Sequence, residues 1–332
     1  MTKPRSHRWP IPTLFLLSPT IAELLSGSAP PDEFFHPPVF CTLTALYGSG
    51  ALLIREARVR WKRPWWPTIL ILGAAYGILE EGLAVKSFFD PSWGDLGALA
   101  EYGRWAGVNW VWATHLTLYH AVISIAVPIQ LVEMLFPEQR DQPWLRRRGR
   151  AMAWVLLIGV TLFAFFLLTP YRPAASTYLV ALLATIGLIG IARRWPLRPV
   201  SPRPGRVPRP LLFALIGFLT TFGSFFIVWL SPEFQLPVGV ALVALLAAAG
   251  LTAGGVRRLS HGGAWTNKHR FALVAGALMF FVVLTPLAEL DQSRPDNTTG
   301  MLAVGMGTTL LLVWMWRRVR RRARRNHSEA TR

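Results

Sequence analysis

Residues 151–169 read AMAWVLLIGVTLFAFFLLT, a run without a single charged side chain. A helix of about 20 apolar residues spans the hydrocarbon core of a bilayer, because each residue adds about 1.5 Å to a thickness of roughly 30 Å. A soluble domain would instead distribute its apolar residues with helix or strand periodicity. The run is also too long and too uniform for a strand of a membrane barrel. It therefore predicts a transmembrane α-helix.

Comparable runs recur along the whole chain, of which 52% is hydrophobic and 16% charged. We predict an all-α, polytopic membrane protein with about ten transmembrane helices in five hairpins. The predicted spans cover residues 10–27, 38–56, 66–85, 107–135, 151–169, 175–192, 210–230, 237–256, 270–287 and 300–316. A cleaved signal peptide is an alternative for the first span, but Pro19 and Glu23 interrupt its apolar run.

The distribution of basic residues predicts the orientation. If the N-terminus is cytoplasmic, the alternation of ten spans places 31 of the 35 Lys and Arg residues on the cytoplasmic side. Cytoplasmic loops of membrane proteins carry such an excess of positive charge. We therefore predict that both termini are cytoplasmic and that the chain is a multi-pass protein of the cell (inner or plasma) membrane.

Charge and proline content also predict the organisation of the chain. Residues 196–209 are rich in Pro and Arg, which favours an extended cytoplasmic linker. The linker separates a six-helix membrane region, 1–195, from a four-helix membrane region, 210–316. Residues 317–332 form a basic tail that follows a span directly, so the expected partners are the lipid bilayer and its anionic head groups rather than nucleic acid. No pattern indicates an oligomeric state.

One stretch places acidic side chains where a membrane segment is otherwise apolar. Residues 73–86 read GAAYGILEEGLAVK, with Glu80 and Glu81 side by side. Ionisable residues inside a membrane cost about 2.5–3.5 kcal/mol each on insertion scales, and they usually face the interior of the bundle and mark a functional path. Neighbouring helical positions point about 100° apart, so we expect only one of the two glutamates to face the bundle axis.

Depth along each span predicts which side chains share a site. At about 1.5 Å per residue, Glu23, Glu80, Glu81 and His115 lie in the outer half of the membrane, and His120 lies nearer the middle. The candidate catalytic residues are Glu80, Glu81, His115 and His120. The candidates for a substrate or proton path are Glu23, Tyr76, Asn109 and Tyr119. The loop that follows the glutamates predicts a short amphipathic surface helix at 95–105.

The same residues predict no cofactor and no metal ligands. Cys41 is the only cysteine, which excludes a site with several cysteine ligands. The i,i+5 spacing of His115 and His120 is poor for two ligands on one ion. A metal site would need Glu80 or Glu81 as a further ligand.

The segment Glu80-Glu81 followed by Lys86, with His115 in the next span, resembles the CAAX-protease and bacteriocin-processing membrane proteases. In those families the two glutamates are followed by three residues and an arginine, whereas here Lys86 comes one position later. Val111 stands where those families have a phenylalanine four residues before the histidine, and no later span contains a histidine. The resemblance covers roughly 50 residues and implies a glutamate-activated water that attacks a peptide bond, with the histidine stabilising the oxyanion.

Three functions are compatible with these patterns. The first is a membrane-embedded hydrolase in which Glu80 or Glu81 is the general base and His115 donates a proton or stabilises an oxyanion. The second is a secondary transporter or proton-coupled carrier, which ten spans and titratable groups inside the membrane would suit. The third is a non-catalytic assembly subunit whose polar residues hold its helices together.

Overall fold

The structure, a computed structural model, describes residues 9–194, 196, 201–291 and 294–330, and long helices make up most of it. The long helices are α1 (Pro10–Leu24), α2 (Pro37–Arg60), α3 (Trp65–Ala84), α4 (Trp110–Leu135), α5 (Arg147–Leu168), α6 (Ala175–Arg194), α7 (Pro210–Glu233), α8 (Val238–Leu259), α9 (Asn267–Leu290) and α10 (Met301–Ala330). One-turn helices lie at Pro31–Phe34 and Pro137–Gln139.

The prediction of an all-α, polytopic membrane protein is confirmed. Within the described residues, the eight helices α2 to α9 are long and apolar enough to cross a membrane. The apolar helix α1 is shorter, and α10 begins with the last predicted span but continues through the basic tail. That continuation has a local cause, since residues 317–330 contain neither proline nor glycine and arginine is a strong helix former.

The connection between α3 and α4 differs from the amphipathic helix predicted at 95–105. A 3₁₀ helix covers Gly94–Leu99, and a small antiparallel hairpin follows with strands β1 (Arg104–Trp105) and β2 (Val108–Asn109). Gly97 has a φ of 48°, a left-handed conformation that an α-helix cannot contain and that glycine adopts without strain. The backbone at this glycine therefore breaks the predicted helix.

The described residues group into two compact units. The first contains residues 9–23, 35–87, 119–194 and 196, and the second contains residues 24–34, 88–118, 201–291 and 294–330. The division near residue 197 lies at the predicted Pro/Arg-rich linker. However, 24–34 and 88–118, which the sequence places in the six-helix region, group with the second unit, and the chain passes from the second unit to the first within α4.

The core of the first unit brings α3 against α4. Ile69 and Leu72 of α3 and Ile125 and Ile129 of α4 belong to one buried apolar cluster. The two helices approach closely because Gly73 has no side chain: a Cβ atom at this position would lie 2.8 Å from the Cα atom of Ala121. This contact lies two turns before the glutamates on α3 and next to His120 on α4.

In the second unit, glycine also allows two helices to approach closely. A Cβ atom at Gly217 of α7 would lie 2.1 Å from the carbonyl oxygen of Leu273, and one at Gly276 of α9 would lie 1.9 Å from that of Ala214. Small residues at helix contacts are typical of membrane bundles, where packing rather than the hydrophobic effect drives association. The pair α7–α9 therefore depends on these two glycines.

Candidate active site

Several helices widen locally into a π-helical turn, whose backbone hydrogen bonds join residues five apart. Such turns are rare and are found frequently at functional sites. Four of them lie at Thr20–Leu24 in α1, Thr44–Gly48 in α2, Leu79–Ala84 in α3 and His120–Ala126 in α4. They carry Glu23, Tyr47, Glu80 with Glu81, and His120. These five residues and Tyr76, one turn before Glu80, are called the Glu/His cluster below.

The imidazole of His120 lies between two carboxylates. Its Nε2 atom is 2.9 Å from Oε1 of Glu81, and its Nδ1 atom is 3.4 Å from Oε2 of Glu80. Nδ1 is also 3.0 Å from the hydroxyl oxygen of Ser124, one turn further along α4. The expectation that only one glutamate would face the bundle interior is thus not met, because the two ring nitrogens of one histidine offer a contact to each carboxylate.

Burial makes this arrangement costly unless its charges are compensated. Glu80, Glu81 and His120 are 4%, 9% and 2% exposed, respectively. A buried ionised carboxylate is destabilising unless a counter-charge or hydrogen bonds compensate it. Glu81 accepts a hydrogen bond from the Ser87 hydroxyl in addition to its contact with His120. The glutamate and histidine side chains therefore stabilise one another across α3 and α4.

Three tyrosines pack around His120. The ring centroids of Tyr47, Tyr76 and Tyr119 lie 6.0, 6.3 and 5.3 Å from that of the imidazole. Tyr47 donates a hydrogen bond to Glu23 on α1. Tyr119 donates a hydrogen bond of 2.6 Å to the carbonyl oxygen of the residue preceding Glu23. Tyr76, Tyr119 and Glu23, predicted for a path, thus lie at or beside the Glu/His cluster.

Two oxygen atoms of the Glu/His cluster are buried without a hydrogen bond of good geometry in the described part of the chain. They are the hydroxyl oxygen of Tyr76 and Oε2 of Glu80. The aromatic ring of Tyr76 fits against α2 because a Cβ atom at Gly50 would lie 2.3 Å from it. Buried polar groups are paired in the great majority of cases, so these two oxygens indicate a place where a further group can be bound.

All residues of the Glu/His cluster fall in a segment that a family model matches. The model is described as an uncharacterized membrane protein family, and it matches residues 13–200. The chain belongs to this family. Comparisons with the curated proteins and with the solved structures found no match. The family segment contains α2 to α6 and most of α1, whereas α7 to α10 lie outside it.

His115 and Asn109 belong to the second unit, because the chain returns to the first unit only at Tyr119. Nδ1 of His115 is 3.1 Å from the Ser224 hydroxyl, and its ring is 4.7 Å from that of Phe225. Asn109 donates a 2.6 Å hydrogen bond to the carbonyl oxygen of Leu99 and accepts one from an amide in the first turn of α4, as a helix N-cap does. The histidine that contacts Glu80 and Glu81 is therefore His120, and these two hydrogen bonds of Asn109 hold the start of α4.

Lys86, the basic residue after the two glutamates, is completely buried. Its ammonium donates hydrogen bonds of 2.8 and 2.9 Å to the carbonyl oxygens of Phe165 and Thr169, at the C-terminal end of α5. A cation at this position is stabilised by the free carbonyls and the dipole of the helix. Lys86 thus attaches the end of the glutamate-bearing segment to α5.

A second buried ionic cluster lies at the other end of the first unit. Arg55 is fully buried and donates hydrogen bonds to the carbonyl oxygens of Gln139, Arg140 and Gln142, and its Nε atom lies 3.4 Å from Oε1 of Glu133. Glu56 is a second carboxylate beside this guanidinium, at 3.2 Å from its Nη1 atom, so three carbonyl oxygens and two carboxylates surround it. We therefore interpret it as a structural clamp on the loop after α4.

Sequence reasoning did not single out Tyr47, Ser87 or Ser124. Ser124 follows His120 by four residues, and this spacing predicts a shared helical face, so it could have been found. Tyr47 lies in another span, and its contact with Glu23 depends on how α1 packs against α2. No local pattern indicates that contact.

Proposed function

We propose that the protein is a membrane-embedded hydrolase that cleaves peptide bonds in membrane substrates. Glu80 and Glu81 would serve as the acid–base pair, and His120 as their common partner. The observation that carries the proposal is the imidazole placed between two buried carboxylates, at 2.9 and 3.4 Å. Adjacent titratable groups in different surroundings can hold different protonation states, and such pairs commonly supply the acid and the base of a reaction.

Glu80 is the better candidate for the base, because its Oε2 atom lacks a good hydrogen bond whereas Glu81 is engaged by Ser87 and His120. The carboxylate of Glu80 would take a proton from water as the water oxygen bonds to the peptide carbon. The Tyr76 hydroxyl or protonated His120 would donate a hydrogen bond to the resulting oxyanion. The carboxylic acid of Glu80 would then return its proton to the nitrogen as the carbon–nitrogen bond breaks.

The resemblance to the CAAX-protease and bacteriocin-processing proteases supports the same reaction. It implies water activation by the Glu-Glu pair and oxyanion stabilisation by a histidine in the next span. The proposal gives that second role to His120 instead of His115, because His120 contacts both glutamates.

The test compares membranes from cells that express the wild type, Glu80→Gln or Glu101→Gln. Glu80→Gln keeps the size of the side chain but cannot act as a base, whereas the exposed Glu101 is the matched control. Quantitative mapping of new protein N-termini should show cleavage products with the wild type and Glu101→Gln that are lost with Glu80→Gln. Equal products from all three, or none above an empty-vector control from any, would reject the hydrolase.

A proton-coupled carrier is the second candidate. It is favoured by a series of exchangeable groups, in which Tyr47 bonds to Glu23 and His120 contacts Glu80 and Glu81. In proteoliposomes with an internal pH dye, the wild type should then move protons under a pH gradient, and His120→Gln should not. Stable folding with neither flux nor cleavage would instead favour the assembly-subunit function.

We also propose the cell membrane, inner or plasma, as the location, and anionic head groups as partners of the basic end of α10. Both proposals rest on the excess of Lys and Arg on one predicted side of the bilayer. Binding of the purified protein to vesicles with and without phosphatidylglycerol, compared with a chain truncated after residue 316, would test the second one.

A further inference from the structure

We propose that Glu80, Glu81 and His120 bind one divalent cation of the Zn²⁺ class. The sequence pattern predicts no metal site, because the two histidines of α4 are badly spaced for a shared ion. In the structure, the carboxylates of Glu80 and Glu81, and not a second histidine, lie beside His120. One potential ligand atom from each of the three residues lies within 4.8 Å of the others, and all three residues are buried.

The spacing between Glu80 and His120 suits two ligands of one ion. Zn²⁺ binds carboxylate oxygen and imidazole nitrogen at about 2.0–2.2 Å, so two ligand atoms of a tetrahedral site lie about 3.4 Å apart. Oε2 of Glu80 and Nδ1 of His120 are separated by 3.4 Å. A charge-assisted hydrogen bond between a nitrogen and a carboxylate oxygen is shorter, at about 2.7–2.9 Å. The separation of these two atoms therefore suits two ligands of one ion better than a donor and its acceptor.

Two buried oxygen atoms are available to an ion and to a water bound on it. Oε2 of Glu80 and the hydroxyl of Tyr76 are buried and make no good hydrogen bond in the described part of the chain. The two residues are each more than nine-tenths buried. They lie one helical turn apart on the same face of α3. An ion held by Glu80 would satisfy the first oxygen directly, and a water on that ion would offer a partner to the second.

A divalent cation would also balance the charge of the three side chains. If both glutamates are ionised, a protonated histidine compensates only one of the two negative charges, and the site keeps a net charge of about −1 in a low-dielectric surrounding. A divalent cation with neutral histidine gives a net charge of about zero. Mixed carboxylate and imidazole ligands suit Zn²⁺, Mn²⁺ and Fe²⁺ more than Cu⁺, which prefers sulfur.

The cation site stands independently of the proposed hydrolase, because binding is measured without turnover. Full-length protein in detergent is stripped with a chelator, dialysed and titrated with Zn²⁺, and with Co²⁺ for its visible absorption. We expect one Zn²⁺ per chain and a Co²⁺ spectrum typical of a low-coordinate site. Glu80→Gln should weaken Zn²⁺ binding by about tenfold or more, since even indirect partners of a metal contribute about 10–100-fold in affinity.

Two histidine variants provide the matched comparison. His120→Ala should abolish stoichiometric binding, and His115→Ala, a histidine buried to a similar extent, should retain it. Glu80→Gln keeps the volume of its side chain, so it stays informative if His120→Ala does not fold. Zn²⁺ bound equally by the wild type, Glu80→Gln and His120→Ala would place the ion elsewhere and overturn the proposal, as would a folded wild type that binds none.

The outcomes also separate this proposal from the hydrolase. Stoichiometric Zn²⁺ without peptide cleavage would retain the cation site and reject the hydrolase. Cleavage by chelator-stripped protein that binds no Zn²⁺ would reject the cation site and leave the acid–base mechanism in place.

Discussion

Substitution of Gly73 by alanine is expected to separate Glu81 from His120 without changing any side chain of the Glu/His cluster. The new Cβ atom would lie 2.8 Å from Cα of Ala121, and ordinary contacts of this kind begin at 3.4 Å. The two helices must therefore move apart by about 0.6 Å, because a backbone atom cannot rotate away as a side chain can. If the shift extends to the end of α3, the 2.9 Å contact between Glu81 and His120 lengthens to about 3.5 Å.

The energetic cost should be visible in the same variant. Overpacking in a well-packed core costs about 1–3 kcal/mol, so the free energy of unfolding in mixed micelles should fall by about this amount. ¹⁵N NMR of labelled histidine, with the His120 signal assigned from His120→Gln, should show the loss of the Nε2 hydrogen bond. Zn²⁺ affinity and peptide cleavage should both fall below the wild-type values.

The control is Gly159→Ala in α5, where the added Cβ would meet no atom of the described residues within 4 Å, apart from the nearby backbone of its own helix. It should be neutral or stabilising by up to about 1 kcal/mol, because alanine is the better helix former. Equal stability of Gly73→Ala and Gly159→Ala, together with an unchanged His120 signal, would refute the role of Gly73 in the close approach of α3 and α4.

Three further predictions concern stability. Arg55→Met should lower the free energy of unfolding by about 3 kcal/mol, because removing one partner of a buried ion pair costs about 3–5 kcal/mol and Arg140, 3.3 Å from Glu133, keeps part of the compensation; chemical unfolding in micelles would measure it. Gly276→Val should destabilise more than Gly239→Val, where an added Cβ meets none of the described atoms within 4 Å beyond the backbone of its own helix; equal melting temperatures of the two variants would contradict the packing of α7 on α9. Hydrogen bonds from Arg294 lower the pKa of Asp296 below 3.8. The ion pair therefore contributes its full stabilisation above the ordinary pKa of an aspartate, and this stabilisation is lost as the pH falls through the lowered pKa of Asp296. Arg294→Gln should remove this pH dependence from the free energy of unfolding.

The helical spans could be predicted well because hydropathy depends on composition over about 20 residues and not on any particular contact. The start of α5 at Arg147, for example, lies four residues from the predicted start at 151. The orientation of the chain in the membrane stays a prediction from its basic residues. The error at 95–105 has a local origin in the backbone of Gly97, which a periodic pattern of polar and apolar residues does not reveal.

The choice between His115 and His120 shows why the site could be predicted only in part. Depth along a span placed His115 level with the glutamates, but depth does not say which direction a side chain faces. His120 begins a π-helical turn, and Glu80 and Glu81 lie in another, so rotations of 100° per residue do not hold through these segments. A helical wheel therefore does not give the directions in which these side chains point around α3 and α4.

The apolar runs and their order establish a helical membrane protein with two glutamates inside a span, because burying backbone in lipid leaves few alternatives to the helix. The meeting of those glutamates with His120, Tyr47 and Glu23 depends on three-dimensional packing. It requires the close approach at Gly73, the space at Gly50 for an aromatic ring, and π-helical turns on four helices. These contacts join residues that lie up to about 100 positions apart in the sequence, and a local pattern of residues does not indicate contacts at such separations.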